Sequence, residues 1–252
     1  MTEIASISAR PIVIGAGLAG LTAALELAPM PVILLCSGKL GADSSSAWAQ
    51  GGIAAAIGPD DEPVLHAADT EKAGAGLCDP SIVRAVTDSA PQTVKKLLAW
   101  GVVFDRDTQG KLQLGLEGAH GRRRIIHGGG AATGAAIMQA LIEAVSATPS
   151  IEVIEDAVAT DLLTSEHGIE GVVFSCGGEL VTLAADRVVL ATGGVGALWR
   201  HTTNPLGSWG KGLALAARVG ALMTDLEFMQ FHPTAIDVGR DPMPLASEAL
   251  RG

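Results

Sequence analysis

The sequence predicts an α/β fold: a Rossmann-like dinucleotide-binding domain with a central parallel sheet, helices and a small β-meander. Two short apolar strands are predicted at residues 11–14 and 31–37, with a helix rich in Ala and Leu between them at 21–28. Residues 15–20, which join the first strand to the helix, have the spacing G-x-G-x-x-G. This spacing alone is a weak signal, but its position between a strand and a helix favours a dinucleotide site over a merely structural turn.

Each glycine of this turn has a predicted role. Gly15 makes the tight turn, Gly17 lets a pyrophosphate approach the backbone, and Gly20 lets the helix pack close to the strand. The N-terminus of the helix then faces the phosphates. The residues predicted to contact the cofactor here are Gly15, Ala16, Gly17, Leu18, Ala19 and Gly20.

The end of the second strand lacks the acid that usually holds the adenosine ribose. Cys36, Ser37 and Gly38 occupy this place instead. The Ser37 hydroxyl is a candidate partner for the ribose, so Ser37 and Gly38 join the predicted cofactor contacts. The fit to a plain NAD site is poorer for this reason.

The remaining pattern continues the α/β order. Asp79 and Pro80 are typical of the N-cap and first residue of a helix, and a second helix is expected at 92–100, after Pro91. A Gly-rich turn precedes a further helix at about 132–146. Short strands are predicted in SIEVIED, IEGVVFS, ELVTLAA and RVVLATGG, with a hairpin turn at CGG between the second and third, and a helix in GKGLALAARVGA.

Composition and charge exclude several functions. The formal net charge of −10 and the lack of a recurring basic stripe argue against nucleic-acid binding. The one basic cluster, residues 122–124, has a solvated turn as its simplest interpretation. No apolar run approaches the ~20 residues that span a bilayer, and the N-terminus lacks the apolar segment of a secretory signal.

The apolar content predicts buried or covered surface, and the cysteine content predicts a reducing environment. Hydrophobic residues make up 48% of the 252 residues, an excess expected in a core or on a face that something else covers. The three cysteines, Cys36, Cys78 and Cys176, are far apart and odd in number, so a disulfide framework is not expected. We expect them to be buried thiols in a reducing cytoplasm, and we predict no metal site.

Seven motifs occur in order between residues 12 and 252: GAGLAG, SSSAWAQGGIAA, EGAHGRRRIIH, ATGG, TTNP, LEFMQFHPTA and SEALRG. Each is weak alone, but the set resembles the L-aspartate oxidases of the succinate dehydrogenase and fumarate reductase flavoprotein family. The resemblance implies FAD as cofactor and an N-terminal portion of such an enzyme. Residues 1–235 are then part of the FAD-binding domain, and 236–252 begin a capping and substrate domain.

The resemblance implies that residues 45–52 run along the flavin ring. Serine hydroxyls and the Gln50 amide can bond the ring edges, Gly51 and Gly52 allow close backbone approach, and Trp48 offers a flat surface. The alternative is a Ser-rich N-cap with a core tryptophan. The implied flavin contacts are Ser45, Ser46, Ala47, Trp48, Ala49, Gln50, Gly51, Gly52, Val158, Ala159, Thr192, Gly193 and Gly194.

Ser45 distinguishes this chain from many relatives. Succinate dehydrogenases and fumarate reductases in many organisms carry at this place a histidine bonded covalently to FAD. A serine hydroxyl cannot make that link, so the resemblance implies noncovalent FAD.

Substrate contacts are also implied by the resemblance. Glu117 is expected to face the substrate amino group, with a surface ion pair to the neighbouring arginines as the alternative. His232 and Ser247 are expected to hold a substrate carboxylate, and Glu248 follows in the same strand. Arg251 either touches substrate or braces Glu248. A structural role is favoured for the two other histidines of these motifs, His120 and His127.

Three positions depart from the family pattern. Lys211 and Ala131 stand where aspartate is usual or frequent, and Gly38 replaces a lysine. Each departure weakens an implied FAD contact, but none removes the Gly-rich turn or the flavin loop.

The implied reaction is FAD-dependent oxidation of L-aspartate to iminoaspartate, with oxygen or fumarate as electron acceptor. The product would be handed to quinolinate synthase for NAD biosynthesis. This chain alone is expected to be inactive, because further substrate-binding groups lie beyond it in the family. The alternatives are a fumarate reductase or succinate dehydrogenase-type flavoprotein, against which Ser45 and Glu117 argue, and a noncatalytic FAD-binding module.

Overall fold

A computed structural model describes residues 10–42 and 44–246. In chain order, the strands are β1 Ile12–Ile14, β2 Val32–Leu35, β3 Ile53–Ala54, β4 Leu114–Gly115, β5 Ile125–Ile126, β6 Ile151–Ile154, β7 Ala157–Ser165, β8 Gly168–Cys176, β9 Glu179–Ala184 and β10 Val188–Leu190. The helices are α1 Leu18–Leu27, α2 Pro63–Ala73, α3 Pro80–Ala99, α4 Thr133–Ser146 and α5 Lys211–Arg218. Short 3₁₀ turns occupy Ser45–Trp48 and Gly196–Leu198.

The chain divides into two compact units. Unit one comprises residues 1–47 and 142–252, and unit two comprises 48–141. The boundary predicted at 235/236 stays a prediction. None of the helices in the described ranges combines the length and the apolar character needed to cross a membrane.

A four-stranded parallel sheet forms the centre of unit one, in the order β10-β1-β2-β6. Every residue of β1 and β2 is buried, as expected for parallel strands covered on both faces. The register sets Ile12 opposite Ile33 on one side and Val188 on the other. Helix α1 connects β1 to β2, so the predicted strand–turn–helix–strand order is confirmed.

An antiparallel meander, β7-β8-β9, completes unit one. The predicted hairpin turn is confirmed: Gly177 and Gly178, both with positive φ, connect paired residues Cys176 and Glu179. The strand predicted in SIEVIED is confirmed as β6, which pairs in parallel with β2 and so lies outside the meander. The meander instead begins with β7, which was not predicted. Apolar side chains of β1, β2, β7, β8 and α5 share one core.

Unit two contains a small antiparallel sheet, β3-β5-β4, and the packed helices α2 and α3. Asp79 caps α3 as predicted, since its Oδ1 accepts hydrogen bonds from the backbone N–H groups of Ser81 at 2.8 Å and Ile82 at 3.4 Å. The hydroxyl and the backbone N–H of Ser81 lower the pKa of Asp79, which keeps the capping carboxylate ionised.

Pro91 lies inside α3, so the predicted break between two helices is wrong. The buried residues of the helix recur on both sides of the proline, with Val83 before it and Val94 and Leu97 after it. Proline inside a helix costs about 3 kcal/mol. Burial of each valine or leucine contributes about 1.5–3 kcal/mol, so the continuous apolar face outweighs the lost hydrogen bond.

Arg124 is fully buried in unit two, so residues 122–124 are not a solvated turn throughout. Its Nε and Nη2 donate to the two carboxylate oxygens of Asp61 at 2.8 and 2.9 Å, and its Nη1 donates to Asp69 at 2.8 Å. Burial by itself lowers the pKa of Arg124, but the two carboxylates outweigh this effect and raise it. Arg123 beside it is exposed.

We predict that Arg124→Met lowers the free energy of unfolding by about 3–5 kcal/mol, because it leaves the buried Asp61 carboxylate without its cation. Urea denaturation measures the loss. Arg123→Met is the matched control and should change stability by less than about 0.5 kcal/mol. Equal midpoints for the two variants would show that the buried ion pair is dispensable.

His66 of α2 lies buried beside this network, and its Nδ1 has no hydrogen-bond partner among the described residues. Burial lowers the pKa of His66 below its usual 6.5, and the charges of Arg124 and His120 lower it further. Asp61 and Asp69 oppose this shift with smaller effects. The folded chain therefore holds His66 in its neutral form.

We predict that the chain loses stability as the pH falls below about 6.5. In that range the unfolded chain protonates His66 while the folded chain does not, so acidification favours unfolding. Asp69 adds a separate loss only below its usual pKa of 3.8, because the Gly121 N–H and Arg124 lower its folded pKa. Urea midpoints should fall between about pH 7 and about pH 5. In His66→Leu the urea midpoint should change less over this pH range. An equally steep fall in this variant would contradict the role given to His66.

Candidate functional site

The Gly-rich turn of unit one brings the end of β1 against the start of α1. Gly15 has φ +111°, and a Cβ there would collide with the carbonyl oxygen of Ala191. A Cβ on Gly20 would overlap the carbonyl oxygen of Gly15. This confirms the tight turn predicted for Gly15 and the close helix packing predicted for Gly20.

The N-terminus of α1 meets the first part of the predicted flavin loop. Gly17 is the N-cap of α1, and the Leu18 N–H donates to the Ser46 hydroxyl at 3.1 Å. A Cβ on Gly17 would lie 3.3 Å from that same oxygen. This arrangement suits an anionic pyrophosphate, because the helix N-terminus and a hydroxyl lie together and Gly17 has no side chain that would keep a phosphate away from the backbone.

The segment after β2 makes contacts that the sequence did not reveal. Lys39 pairs with Glu155 at 3.1 Å and with Asp156 at 2.9 Å, and Glu155 accepts the Leu40 N–H at 2.8 Å. The Leu40 N–H and the Lys39 ammonium lower the pKa of Glu155. The acid missing from the end of β2 is thus present close by, at the end of neighbouring β6. The sequence carried no signal for this contact, because Glu155 reaches Lys39 only through the parallel pairing of β6 with β2.

The cysteines are less uniformly buried than expected. Cys36 at the end of β2 is buried, and burial raises its pKa to about 11, with a smaller contribution from Glu155. Cys78 and Cys176 are half-buried rather than buried. All three are free thiols.

A second group of predicted cofactor residues lines a cavity of about 250 Å³ in unit one. Val158 and Ala159 face it together with Lys211, one of the departures from the family pattern. Thr192 lies against α5, because a Cβ on Gly212 would collide with its hydroxyl. The following turn is tied to the start of α5, since the Gly194 carbonyl accepts the N–H of Gly210 at 3.0 Å.

The predicted flavin loop is ordered by contacts at its two ends. In unit one, the Ser45 hydroxyl donates to the Asn204 side-chain oxygen at 3.3 Å. In unit two, the Ala49 carbonyl accepts the Gly134 N–H at 2.9 Å. Trp48 is 48% exposed, so the alternative of a core tryptophan is wrong.

Glu117 and His127 form a pair in unit two. The Nε2 of His127 lies 3.2 Å from Oε1 of Glu117, and both side chains are partly exposed. A Cβ on Gly52 would lie 3.1 Å from His127 Nε2, and one on Gly115 would lie 3.4 Å from its Cε1. The last residue of the predicted flavin loop is therefore next to the imidazole that contacts Glu117.

A cavity of about 320 Å³ adjoins His127, lined also by Asp105, Gln113, Gly115 and Gly130. The carboxylate of Asp105 accepts the N–H groups of Gly129 at 3.0 Å and Gly130 at 3.1 Å. Ala131, where aspartate is frequent in the family, is exposed in the same turn. The acid of this turn comes from Asp105, which sequence reasoning missed.

His232 lies in a segment that pairs with the residues preceding SEALRG. Its Nδ1 is 3.1 Å from the Thr234 hydroxyl, which donates to the Ala246 carbonyl at 3.3 Å. The Ala246 N–H in turn donates to the Thr234 carbonyl at 2.9 Å. Ala246 thus lies beside the segment that carries His232. The predicted substrate residues Ser247 and Glu248, with Arg251, lie outside the described residues.

Residues 10–252 match the protein family described as FAD binding domain. The chain is 53% identical over 250 residues to the L-aspartate oxidase of Mesorhizobium japonicum, covering 99% of this chain and 49% of that protein. It is 52% identical over 241 residues to the L-aspartate oxidase of Agrobacterium fabrum, covering 96% and 46%. The chain therefore spans about half the length of the curated relatives it matches.

Two solved structures show the same fold. The Sdh1 complex of Mycobacterium smegmatis in the apo form superposes with a TM-score of 0.89 at 30% identity, covering 96% of this chain and 44% of that chain. A quinol-fumarate reductase with menaquinol molecules superposes with a TM-score of 0.85 at 28% identity, covering 91% and 41%. The resemblance predicted from the seven motifs is confirmed, as is the FAD-binding α/β fold.

We predict that Gly20→Ala lowers FAD affinity about tenfold or more, because α1 must move off the end of β1 and take its N-terminal N–H groups with it. Titration of flavin fluorescence measures the affinity. Gly207→Ala is the matched control, since a Cβ there meets nothing within 4 Å. FAD affinity that stays unchanged in Gly20→Ala would contradict the role given to this contact.

Proposed function

This chain belongs to the FAD-binding domain family, and we propose that it forms the N-terminal part of an L-aspartate oxidase. The observation that carries the proposal is the position of Glu117, whose Oε1 lies 3.2 Å from His127 Nε2, next to Gly52 of the flavin loop. A carboxylate there can pair with the ammonium group of an amino dicarboxylate, whereas succinate has no such group. The relatives from Mesorhizobium japonicum and Agrobacterium fabrum are both named L-aspartate oxidase, and this name points to L-aspartate as the substrate.

The residues present fit FAD. The turn has no room for a side chain at Gly15 or Gly20, and the start of α1 at Gly17 with the Ser46 hydroxyl suits the pyrophosphate. Gly52 packs against β5, since a Cβ there would collide with Ile125 and with the Ile126 carbonyl oxygen, so only glycine fits at this end of the flavin loop. When bound, FAD supplies the redox chemistry by accepting two electrons from the substrate.

The cofactor is held noncovalently. Ser45 stands where many relatives have a flavin-linked histidine, and its hydroxyl donates to Asn204. A serine at this position has no ring nitrogen to form such a bond. FAD therefore stays in place through the Gly-rich turn, the flavin loop and the turn at 192–194.

The candidate substrate residues carry groups of opposite charge, and each unit contributes its own. In unit two, Glu117 is suited to an amino group. In unit one, His232 is suited to a carboxylate, and the sequence places Ser247 and Glu248 after the segment that pairs with it. The Thr234 contact at 3.1 Å from His232 Nδ1 limits rotation of the ring. Buried carboxylates need cationic or hydrogen-bonding partners, so the second carboxylate requires residues beyond this chain.

The rest of the active enzyme comes from the half of the protein that this chain does not span. An apolar run in unit one is highly exposed, with Leu222 at 96%, Phe231 at 76% and Leu226 at 64%. Exposed apolar surface of this kind is typical of a face covered by another part of the protein. The chain alone is therefore inactive with L-aspartate.

The proposed reaction also implies an electron acceptor and a use for the product. Oxygen or fumarate reoxidises the cofactor, and the product iminoaspartate passes to quinolinate synthase in NAD biosynthesis. The free cysteines favour a cytoplasmic location.

The complete protein that carries this chain tests the proposal. Purified with FAD and supplied with L-aspartate in air, it should form hydrogen peroxide, and acid precipitation should leave yellow cofactor in the supernatant. Oxidation of succinate instead of L-aspartate would indicate a succinate dehydrogenase-type flavoprotein. Flavin binding without turnover of either substrate would indicate a noncatalytic module.

We predict that Glu117→Gln in the complete protein weakens L-aspartate use about ten- to hundredfold, because a charge-assisted hydrogen bond of roughly 1.5–3 kcal/mol is lost. Fumarate binding should change little, since fumarate has no amino group. Steady-state kinetics with L-aspartate and fumarate inhibition constants provide the comparison. An equal loss for both ligands would show that Glu117 is structural.

A further inference from the structure

His127 is the one side chain in direct contact with Glu117 among the ion pairs of the described residues. Its Nε2 lies 3.2 Å from Glu117 Oε1, close enough for an electrostatic contact between the ring and the carboxylate. Neither side chain is fully buried, with exposed fractions of 31% for His127 and 42% for Glu117. The carboxylate is therefore accessible to a ligand while one of its oxygens lies against the imidazole.

The imidazole occupies a space shaped by two glycines. An ideal Cβ on Gly52 would approach the ring to 3.1 Å, which is tight, and one on Gly115 would reach it at 3.4 Å, so the ring fills the space beside both glycines. Its backbone is also fixed, because the His127 carbonyl accepts the Asp105 N–H at 2.8 Å. The ring of His127 has little freedom to leave Glu117.

The ring of His127 limits the movement of the Glu117 carboxylate. Glutamate has several rotatable bonds, and fixing them at the moment of binding costs free energy. A carboxylate already oriented by a neighbouring group binds an ammonium group with less loss of freedom. The ring of His127 provides this orientation and leaves the second oxygen of Glu117 for the substrate.

We propose that His127 is a positioning residue that orients Glu117 toward the amino group of the substrate, and so helps to select amino dicarboxylates over plain dicarboxylates. This inference rests on the function proposed above and deepens it. The sequence favoured a structural role for His127. The contact with Glu117 at the end of the flavin loop assigns it a role in specificity instead.

The test compares two variants of similar size in the complete, FAD-loaded protein. His127→Gln keeps a donor for Glu117, whereas His127→Phe fills the space between the glycines without one. We expect His127→Phe to raise KM for L-aspartate about fivefold with kcat within about twofold, and His127→Gln to stay near wild type. The dissociation constant of succinate, read from the flavin absorbance spectrum, should not change in either variant.

A double variant separates positioning from structural damage. If His127 acts through Glu117, then His127→Phe should add less than about twofold to KM in a Glu117→Gln background. His167→Phe is the control, because His167 also neighbours a glutamate, Glu166 at 3.6 Å, but both side chains are at least 85% exposed. This control should leave both constants unchanged.

Each result decides between the roles. Full additivity of the two substitutions, a matching loss of succinate affinity, or equal defects in His127→Gln and His127→Phe would overturn the inference while leaving the proposed function standing. A wild-type protein that binds succinate but does not oxidise L-aspartate would instead overturn the proposed function, and this inference with it.

Discussion

The close approach of α1 to the end of β1 is the constraint on which the cofactor half of the molecule depends. Gly20 lies so near the carbonyl oxygen of Gly15 that no side chain fits between them, and Gly15 is equally tight against Ala191. Two elements, the helix and the strand β10 that precedes Ala191, therefore converge on one turn. This convergence directs the N-terminus of α1 and the Ser46 hydroxyl to a common point.

Unit two depends on a different interaction, a buried ion pair. Its fully buried Arg124 is satisfied by two carboxylates from elsewhere in the unit, Asp61 just before α2 and Asp69 within it. A buried ion pair is weak as a source of net stability, but it tolerates only one arrangement of its partners. Arg124 also precedes β5 and His127 in the chain, so the ionic core and the candidate substrate residues share one short segment.

The candidate site residues of each unit lie mostly outside long helices and strands. The flavin loop begins with a 3₁₀ turn, and Glu117 and His232 lie in loops. Such segments hold their shape here through specific side-chain contacts: Ser45 with Asn204, and His127 with Glu117. Precision at the site therefore rests on a few polar contacts that can be altered singly, without disturbing the parallel sheet.

Local steric rules explain what the sequence by itself determined. The Gly-rich turn, the Asp79 cap and the Gly177–Gly178 hairpin each depend on residues a few positions apart, and all three formed as predicted. Together with the order of motifs they were sufficient for the fold class and the cofactor.

The tertiary structure alone decided the features that depend on distant residues. Pro91 stays inside a helix because an apolar face packs on α2, and Arg124 is buried because Asp61 lies opposite it. Glu155 reaches Lys39 only through the pairing of β6 with β2, and His127 reaches Glu117 only through the pairing of β4 with β5. Burial and charge pairing depend on which segments meet in space. The spacing of residues along the chain does not predict these meetings.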